Sequence, residues 1–366
     1  SAKADGSEYL DPQGLFAHDL DIFGPGSLFQ YINRCSTLPG RDRLAGMLST
    51  IERSAEEIRQ RQDAVAELKG KFSWRQGFRV EGLMAGEEAE DIRSLVSWVK
   101  APRDFRSKIF PLLVIVMPLI TLGMFALTLP DLIAWWQLMI YLLIPLAVSG
   151  IRYRKVNVKH QLLSRKYPLL KKFSRLMELV EKEDFSSERM RTLQARLRAD
   201  GDTASRAIRR LAGIAGAFDT RLNLLAGFLM NVLFLWDIRQ SLRLERWQER
   251  YRLKLPLWFE TLGEADAFVS LAGYSENNPS YMMPVIVEGD GLHFNAKGLG
   301  HPLIPEGKRV CNDYSVPGWK HFTILTGANM AGKSTFLRTV GVNMLLGSCG
   351  APVCAASMEF TPVTLV

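Results

Sequence analysis

The sequence predicts a mainly α-helical chain that carries a transmembrane helical hairpin and changes to α/β near residue 285. Three observations predict it. Apolar residues recur at three- and four-residue spacing through most of the first 284 positions. Residues 109–151 contain one charged residue, Asp131. Short β-type runs separated by Gly and Pro follow residue 284 and lead into a Gly-rich turn between a strand pattern and a helix pattern. The 366 residues suffice for two or three domains. Apolar residues at 47% and charged residues at 23% exclude disorder, a collagen-like rod and a disulfide mini-protein.

Residues 1–27 are rich in Gly, Pro and Asp and are expected to form a loop lead-in. Residues 28–108 are expected to be the first part of a helical core. Leu44, Met47, Leu48 and Ile51, then Ile58, Val65 and Leu68, follow a helical period over 28–71, while Glu52, Arg53, Glu56 and Glu57 fill the opposite face. Gly70 supplies a stop.

Residues 109–129 and 132–151 are uncharged runs of 21 and 20 residues, separated by Pro130 and Asp131. A helix of that length spans about 30 Å, the thickness of a bilayer core. Lys100, Arg103, Arg106 and Lys108 precede the pair, and Arg152, Arg154, Lys155 and Lys159 follow it. Positive charge at both outer ends places the soluble parts on the cytoplasmic side of the membrane and the Pro-Asp turn outside. Trp135, Trp136 and Tyr153 occupy interfacial positions. A hairpin buried in a large soluble core is the alternative.

Residues 152–284 are expected to be the second helical part. Between 152 and 252 the chain has 23 Lys and Arg against 11 Asp and Glu. Such an excess suits DNA phosphates, and it equally suits anionic lipid beside the hairpin. The whole chain is +8. Residues 222–236 are apolar but short and contain Asn223 and Asn231, a pattern that predicts a buried helix. Residues 258–272 read as a further helix and 275–284 as a turn-rich loop. The four cysteines make no C-x-x-C pair and are expected to be reduced thiols. The sequence is expected to be a piece of a longer protein.

Residues 285–366 read as the N-terminal portion of an α/β domain. β-type runs occupy 285–287 and 321–326. Gly327, Ala328, Asn329, Met330, Ala331, Gly332, Lys333 and Ser334 fit the G-x-x-x-x-G-K-[ST] pattern without a mismatch. The strand code before it and the helix code over 335–346 supply the context of a P-loop ATPase domain. Glycines let backbone N–H groups turn toward phosphate oxygens, and the helix N-terminus adds its positive end. Lys333 would reach the β- and γ-phosphates of ATP, and Ser334 would hold Mg²⁺. Thr335 completes the set. This Walker A turn has no Walker B partner, since Glu359 is the one acidic residue after Lys333. ATP hydrolysis by these residues alone is therefore not expected.

The run from Thr326 to Thr335, with an Asn-Met pair inside the turn, resembles the nucleotide loop of the MutS family of DNA mismatch-repair ATPases. Residues 336–340 and 350–355 are similar to that family's following helix and strand. Gly300-His301-Pro302 resembles its Arg-His-Pro element, with Gly in place of Arg, and Asn312-Asp313 its Asn-Asp element. Arg309 and Val310 stand where the family has an adenine-stacking aromatic. Residues 26–37, 40–44 and 59–68 look like the opening of the family's helical core, and 262–272 like the return of its lever helices. The resemblance covers roughly 22–80 and 255–366, with looser similarity from about 205. It implies an ATPase that binds double-stranded DNA and completes its nucleotide site as a homodimer. Three features differ from an ordinary mismatch sensor: no Phe-x-Glu wedge occurs in the sequence, the stretch 152–252 reads as helical where the family has a β-rich clamp, and a membrane hairpin is present. A membrane-anchored P-loop ATPase that acts on a protein or lipid partner, without DNA, is the alternative.

Overall fold

Hydroxyl side chains set the helix boundaries of the N-terminal region. The computed structural model describes residues 4–10, 15–84, 86, 89–102, 109–151, 166–198, 201–218, 224–289, 291–316, 318, 323–328 and 332–362. In it the stretch 28–71 forms three helices, Leu28–Ile32, Leu38–Ser49 and Ala55–Gly70. Ser27, Thr37 and Ser54 precede them, and each side-chain oxygen accepts a backbone N–H from the first turn. Leu44, Leu48, Ile58, Val65 and Leu68 are fully buried, as their spacing predicts. Residues 1–27 are more than the expected loop lead-in. Leu15–Asp19 is a short helix, and the rings of Tyr9, Phe23 and Phe29 pack with centroids 5.5 to 5.9 Å apart. Three aromatics so scattered leave no periodic trace in a sequence.

These elements belong to the first of two units, which comprises Ser1–Leu83, Leu179–Leu197 and Phe259–Val366. A buried carboxylate ties it together. Asp266, on the helix Lys254–Asn277, accepts hydrogen bonds from the backbone N–H groups of Ser36 (3.0 Å) and Thr37 (2.8 Å) and from the Thr37 hydroxyl (2.7 Å). Burial pushes its carboxyl up to about 6, while these donors pull the other way. Backbones approach closely here. A β-carbon on Gly263 would stand 2.5 Å from the Pro39 carbonyl oxygen. The helix expected over 258–272 is longer at both ends. Pro256 falls in its first turn, where a missing N–H costs little. At the other end Tyr274 is buried edge-on to Tyr31, which holds the helix to Asn277.

The same unit holds a four-stranded sheet. Its strands are β1 (Val285–Ile286), β2 (Phe294–Leu299), β3 (Asn312–Val316) and β4 (Ser357–Phe360), in the order β1-β4-β2-β3. β1 and β4 are parallel, with Val285 opposite Glu359, and β2 is antiparallel to both β3 and β4. Phe294, Ala296, Leu299, Met358 and Phe360 point inward. The strand expected over 321–326 does not form among the described residues. Residues 323–328 are irregular and exposed, with Ile324 72% exposed, and residues 321 and 322 lie outside the described set. Apolar β-formers need a neighbouring ladder to become a strand, and no described strand pairs with this run.

The second unit, Met84–Glu178 and Arg198–Trp258, is helical among its described residues. Trp247 donates its indole N–H to the Ala207 carbonyl (2.7 Å) and stacks on Trp98. The Gln248 amide donates to the Trp98 and Ala101 carbonyls at the end of the helix Ala89–Lys100. Two apolar helices, Ile109–Thr128 and Trp135–Ile151, occupy the expected runs and pack on each other. Thr121 and Tyr141 hydroxyls meet at 3.1 Å between them. Among the described residues only Ile109–Thr128, with 20 residues and a mean hydropathy of 2.4, is long and apolar enough to cross a membrane, by length and composition. The second run loses length because the turn takes residues 129–134, with Asp131 at a positive φ of 58°. The expected pair of full-length spans is thus one such helix and one of 17 residues. The basic flanks at 103–108 and 152–159 lie outside the described residues. The buried helix expected over 222–236 is corrected. Leu224–Phe234 is helical, but Phe228 and Leu229 are 52% and 53% exposed. Hydrophobicity favours burial without saying against what.

Gly263→Ala is expected to lower the thermal unfolding midpoint, at a cost on the order of 1–3 kcal/mol, because the Pro39 carbonyl must shift. Circular dichroism melting of the two proteins checks it.

Candidate phosphate-binding turn

The turn ends where a glycine takes a conformation that other residues avoid. Gly332 has φ 82° and ψ 11° and stands immediately before the helix Lys333–Ser348. Among the described residues no side chain caps that helix, which leaves the N–H groups of its first turn for an outside acceptor. A β-carbon on Gly332 would meet nothing within 4 Å, so space is open above the turn. Ser334 and Thr335 are exposed and Lys333 is half-buried. Lys333 folds back over the turn, and its ammonium donates to the carbonyl oxygens of Gly327 and Ala328. The turn therefore brings Gly327, Ala328, Gly332, Lys333, Ser334 and Thr335 to one helix end. Asn329, Met330 and Ala331 lie outside the described residues.

The other end of the helix is anchored in the core. Val342, Leu345 and Leu346 are fully buried. Asn343 is equally buried and is the residue sequence reasoning missed. Its amide donates to the carbonyls of Gly300 (3.0 Å) and Thr339 (2.7 Å), and its oxygen accepts the Cys354 N–H (2.8 Å). One side chain thus joins the turn's helix to the Gly300-His301-Pro302 element and to the segment that leads into β4. The signal was present, since a lone amide amid Val342, Met344, Leu345 and Leu346 has to find partners. The expected strand over 350–355 is instead irregular, with a single bridge from Val353 to Met282, because Gly350 turns the chain at φ 80°.

His301 is buried beside Thr335. With Asp21, Gly24, Ile304 and Arg338 they line one open cavity at the helix start. Burial holds the imidazole below the usual histidine range, and its Nδ1 accepts the Leu303 N–H at 3.3 Å. Arg338 is ion-paired with Asp21 across this cavity, a pair that sequence spacing did not suggest (2.5 Å). Arg309 is not at the turn. Its guanidinium lies over the Tyr281 ring and donates to the Tyr281 hydroxyl and the Ile304 carbonyl, while Val310 is 77% exposed. Glu359 is engaged by Asn295 (2.9 Å) and His293 (3.1 Å), which hold its carboxyl below the usual range.

A glycine-ended turn that places a lysine and two hydroxyls at an uncapped helix start is the arrangement of an anion-binding site. Residues 323–366 match the family model for MutS domain V, and the chain is related to MutS mismatch-repair proteins over its C-terminal part. It is 37% identical over 111 residues to the DNA mismatch repair protein MSH6 of Arabidopsis thaliana, a match that covers 27% of this chain and 8% of that protein. It is 40% identical over 91 residues to DNA mismatch repair protein MutS 1 of Halobacterium salinarum, covering 25% and 10%. With DNA mismatch repair protein MutS of Fusobacterium nucleatum the identity is 35% over 121 residues, covering 29% and 13%. The matched part is thus between 8% and 13% of the length of these relatives.

Asn343→Ala is expected to leave the Gly300 carbonyl and the Cys354 N–H unpaired inside the core, at a cost of about 1–3 kcal/mol. A lower unfolding midpoint together with faster hydrogen exchange at Cys354 is the measurement.

Proposed function

We propose that the chain is an ATP-binding, MutS-type protein that couples nucleotide binding to binding of double-stranded DNA while tethered to a membrane. The observation that carries the nucleotide part is the uncapped start of Lys333–Ser348 behind Gly332, with Lys333, Ser334 and Thr335 at its mouth. Free N–H groups and the helix dipole favour a phosphate there. The residues fit the group. Lys333 would exchange its two carbonyl partners for β- and γ-phosphate oxygens, and Ser334 would hold Mg²⁺, which would neutralise phosphate charge. Gly327 to Thr335, with Asn329, Met330 and Ala331 among them, would wrap the phosphates. A water-activating carboxylate is not among these residues, so the reading for this stretch is binding, with hydrolysis dependent on residues beyond it.

The DNA part rests on relatedness to proteins named as DNA mismatch repair proteins. A homodimer through the nucleotide domain follows from the same relatedness. The membrane part is supported by the exposed apolar surface of Ile109–Thr128, where Leu112, Ile115, Leu119 and Leu122 face outward. Its cytoplasmic orientation rests on the basic flanks. The same exposed apolar helix favours the second reading, a membrane-anchored ATPase acting on a protein or lipid partner with no DNA role.

In the full-length protein, Lys333→Ala is expected to abolish ATP binding measured by calorimetry, and unchanged affinity would remove the phosphate assignment. Duplex DNA should bind at about 50 mM salt and be released steeply as salt rises, because phosphate contacts release counterions. No binding at that salt selects the protein-or-lipid reading.

A further inference from the structure

Leu224–Phe234 is too short to span a bilayer and too exposed to be a core helix. Its 11 residues reach about 16 Å, roughly half of a hydrocarbon core. Phe228, Leu229, Met230, Leu233 and Phe234 face outward. Gly227 and Val232 face inward, and the helix packs on both Ile109–Thr128 and Trp135–Ile151. The outward faces of all three helices are apolar, so the exposed patch on Ile109–Thr128 continues onto this one.

The polar atoms of the segment are used internally. Asn231 donates to the Gly227 carbonyl at 3.1 Å, and its oxygen accepts the Asp237 N–H at 3.0 Å. Leu235, at a positive φ of 49°, turns the chain there, and its N–H reaches the Asn231 carbonyl at 3.0 Å. A non-glycine residue in that region is strained, and the Asn231 bonds hold it. An amide that is costly in hydrocarbon is thereby satisfied before it meets any lipid. The helix that follows, Trp236–Tyr251, exposes Arg239, Arg243, Arg246 and Arg250 at three- and four-residue spacing. A single row of cations directly after an exposed apolar helix complements an acyl layer under anionic headgroups.

We propose that Leu224–Phe234 is a membrane-embedded helix that does not span, with Phe228, Leu229 and Leu233 against acyl chains and the arginine row of Trp236–Tyr251 against anionic headgroups. It rests on the membrane reading of Ile109–Thr128 given above, and it assigns bilayer contact to a segment outside that helix. A soluble partner is disfavoured by the unbroken apolar surface shared with a helix of membrane-spanning length.

The test uses the full-length protein in vesicles of phosphatidylcholine and phosphatidylglycerol, in a Cys311→Ser background because that thiol is exposed. Spin labels are attached at Phe228→Cys and Leu233→Cys, with Leu119→Cys as the reference in Ile109–Thr128 and Arg239→Cys as the headgroup reference. The parent protein, labelled in parallel, is subtracted. Collisions with oxygen and with a water-soluble nickel chelate are measured. The expected result is that labels at 119, 228 and 233 all favour oxygen and lose nickel collisions relative to 239. Nickel access at 228 and 233 with a lipid-like 119 overturns this inference and leaves the tether standing. Shielding of 228 and 233 from both reagents also overturns it, since protein, such as a second copy, then covers the helix. Nickel access at 119 removes the membrane reading and this inference with it.

Discussion

Asn343 makes three hydrogen bonds from a fully buried position, and the candidate turn depends on them. A buried amide of this kind is costly when any partner is lost, so its helix, the Gly300 carbonyl and the Cys354 N–H are held in one register. The open start of the same helix lies ten residues earlier at Lys333. Fixing the buried half therefore fixes where the uncapped N–H groups point. Close backbone approaches do similar work around it. A β-carbon on Gly341 would stand 2.7 Å from the Leu20 side chain, and one on Gly350 2.5 Å from Arg61. Small residues and one amide thus position the exposed end.

Periodicity made the helices legible, and the breaks between them were legible to a lesser degree. Leu44, Leu48, Ile58 and Val65 are in the core because their spacing places them on one face. Thr37 and Ser54 divide the helices by capping chemistry, which the apolar pattern over 28–71 does not show. The glycine turn and its helix were readable because they are local. The strand before the turn was not, since 323–326 has strand-forming residues and no described neighbour to pair with. Contacts between distant positions left no trace. Arg338 with Asp21 and Asp266 with Ser36 and Thr37 join residues more than 200 positions apart.

Two different polar strategies serve the two units. The first buries charge and amide deep among apolar side chains and satisfies each with several donors or acceptors, as at Asp266 and Asn343. The second leaves apolar side chains outward on Ile109–Thr128, Trp135–Ile151 and Leu224–Phe234 and uses its hydroxyls and amides within and between the helices. An inventory of hydrophobic residues could not separate these cases, because apolar content predicts removal from water and is silent about the medium that replaces it.

Lys333 lies folded on the Gly327 and Ala328 carbonyls. On the proposed phosphate-binding reading, an incoming anion would not meet a waiting cation; it would first have to displace these two internal acceptors, so that loading would be a swap of partners with the resting turn as its own competitor.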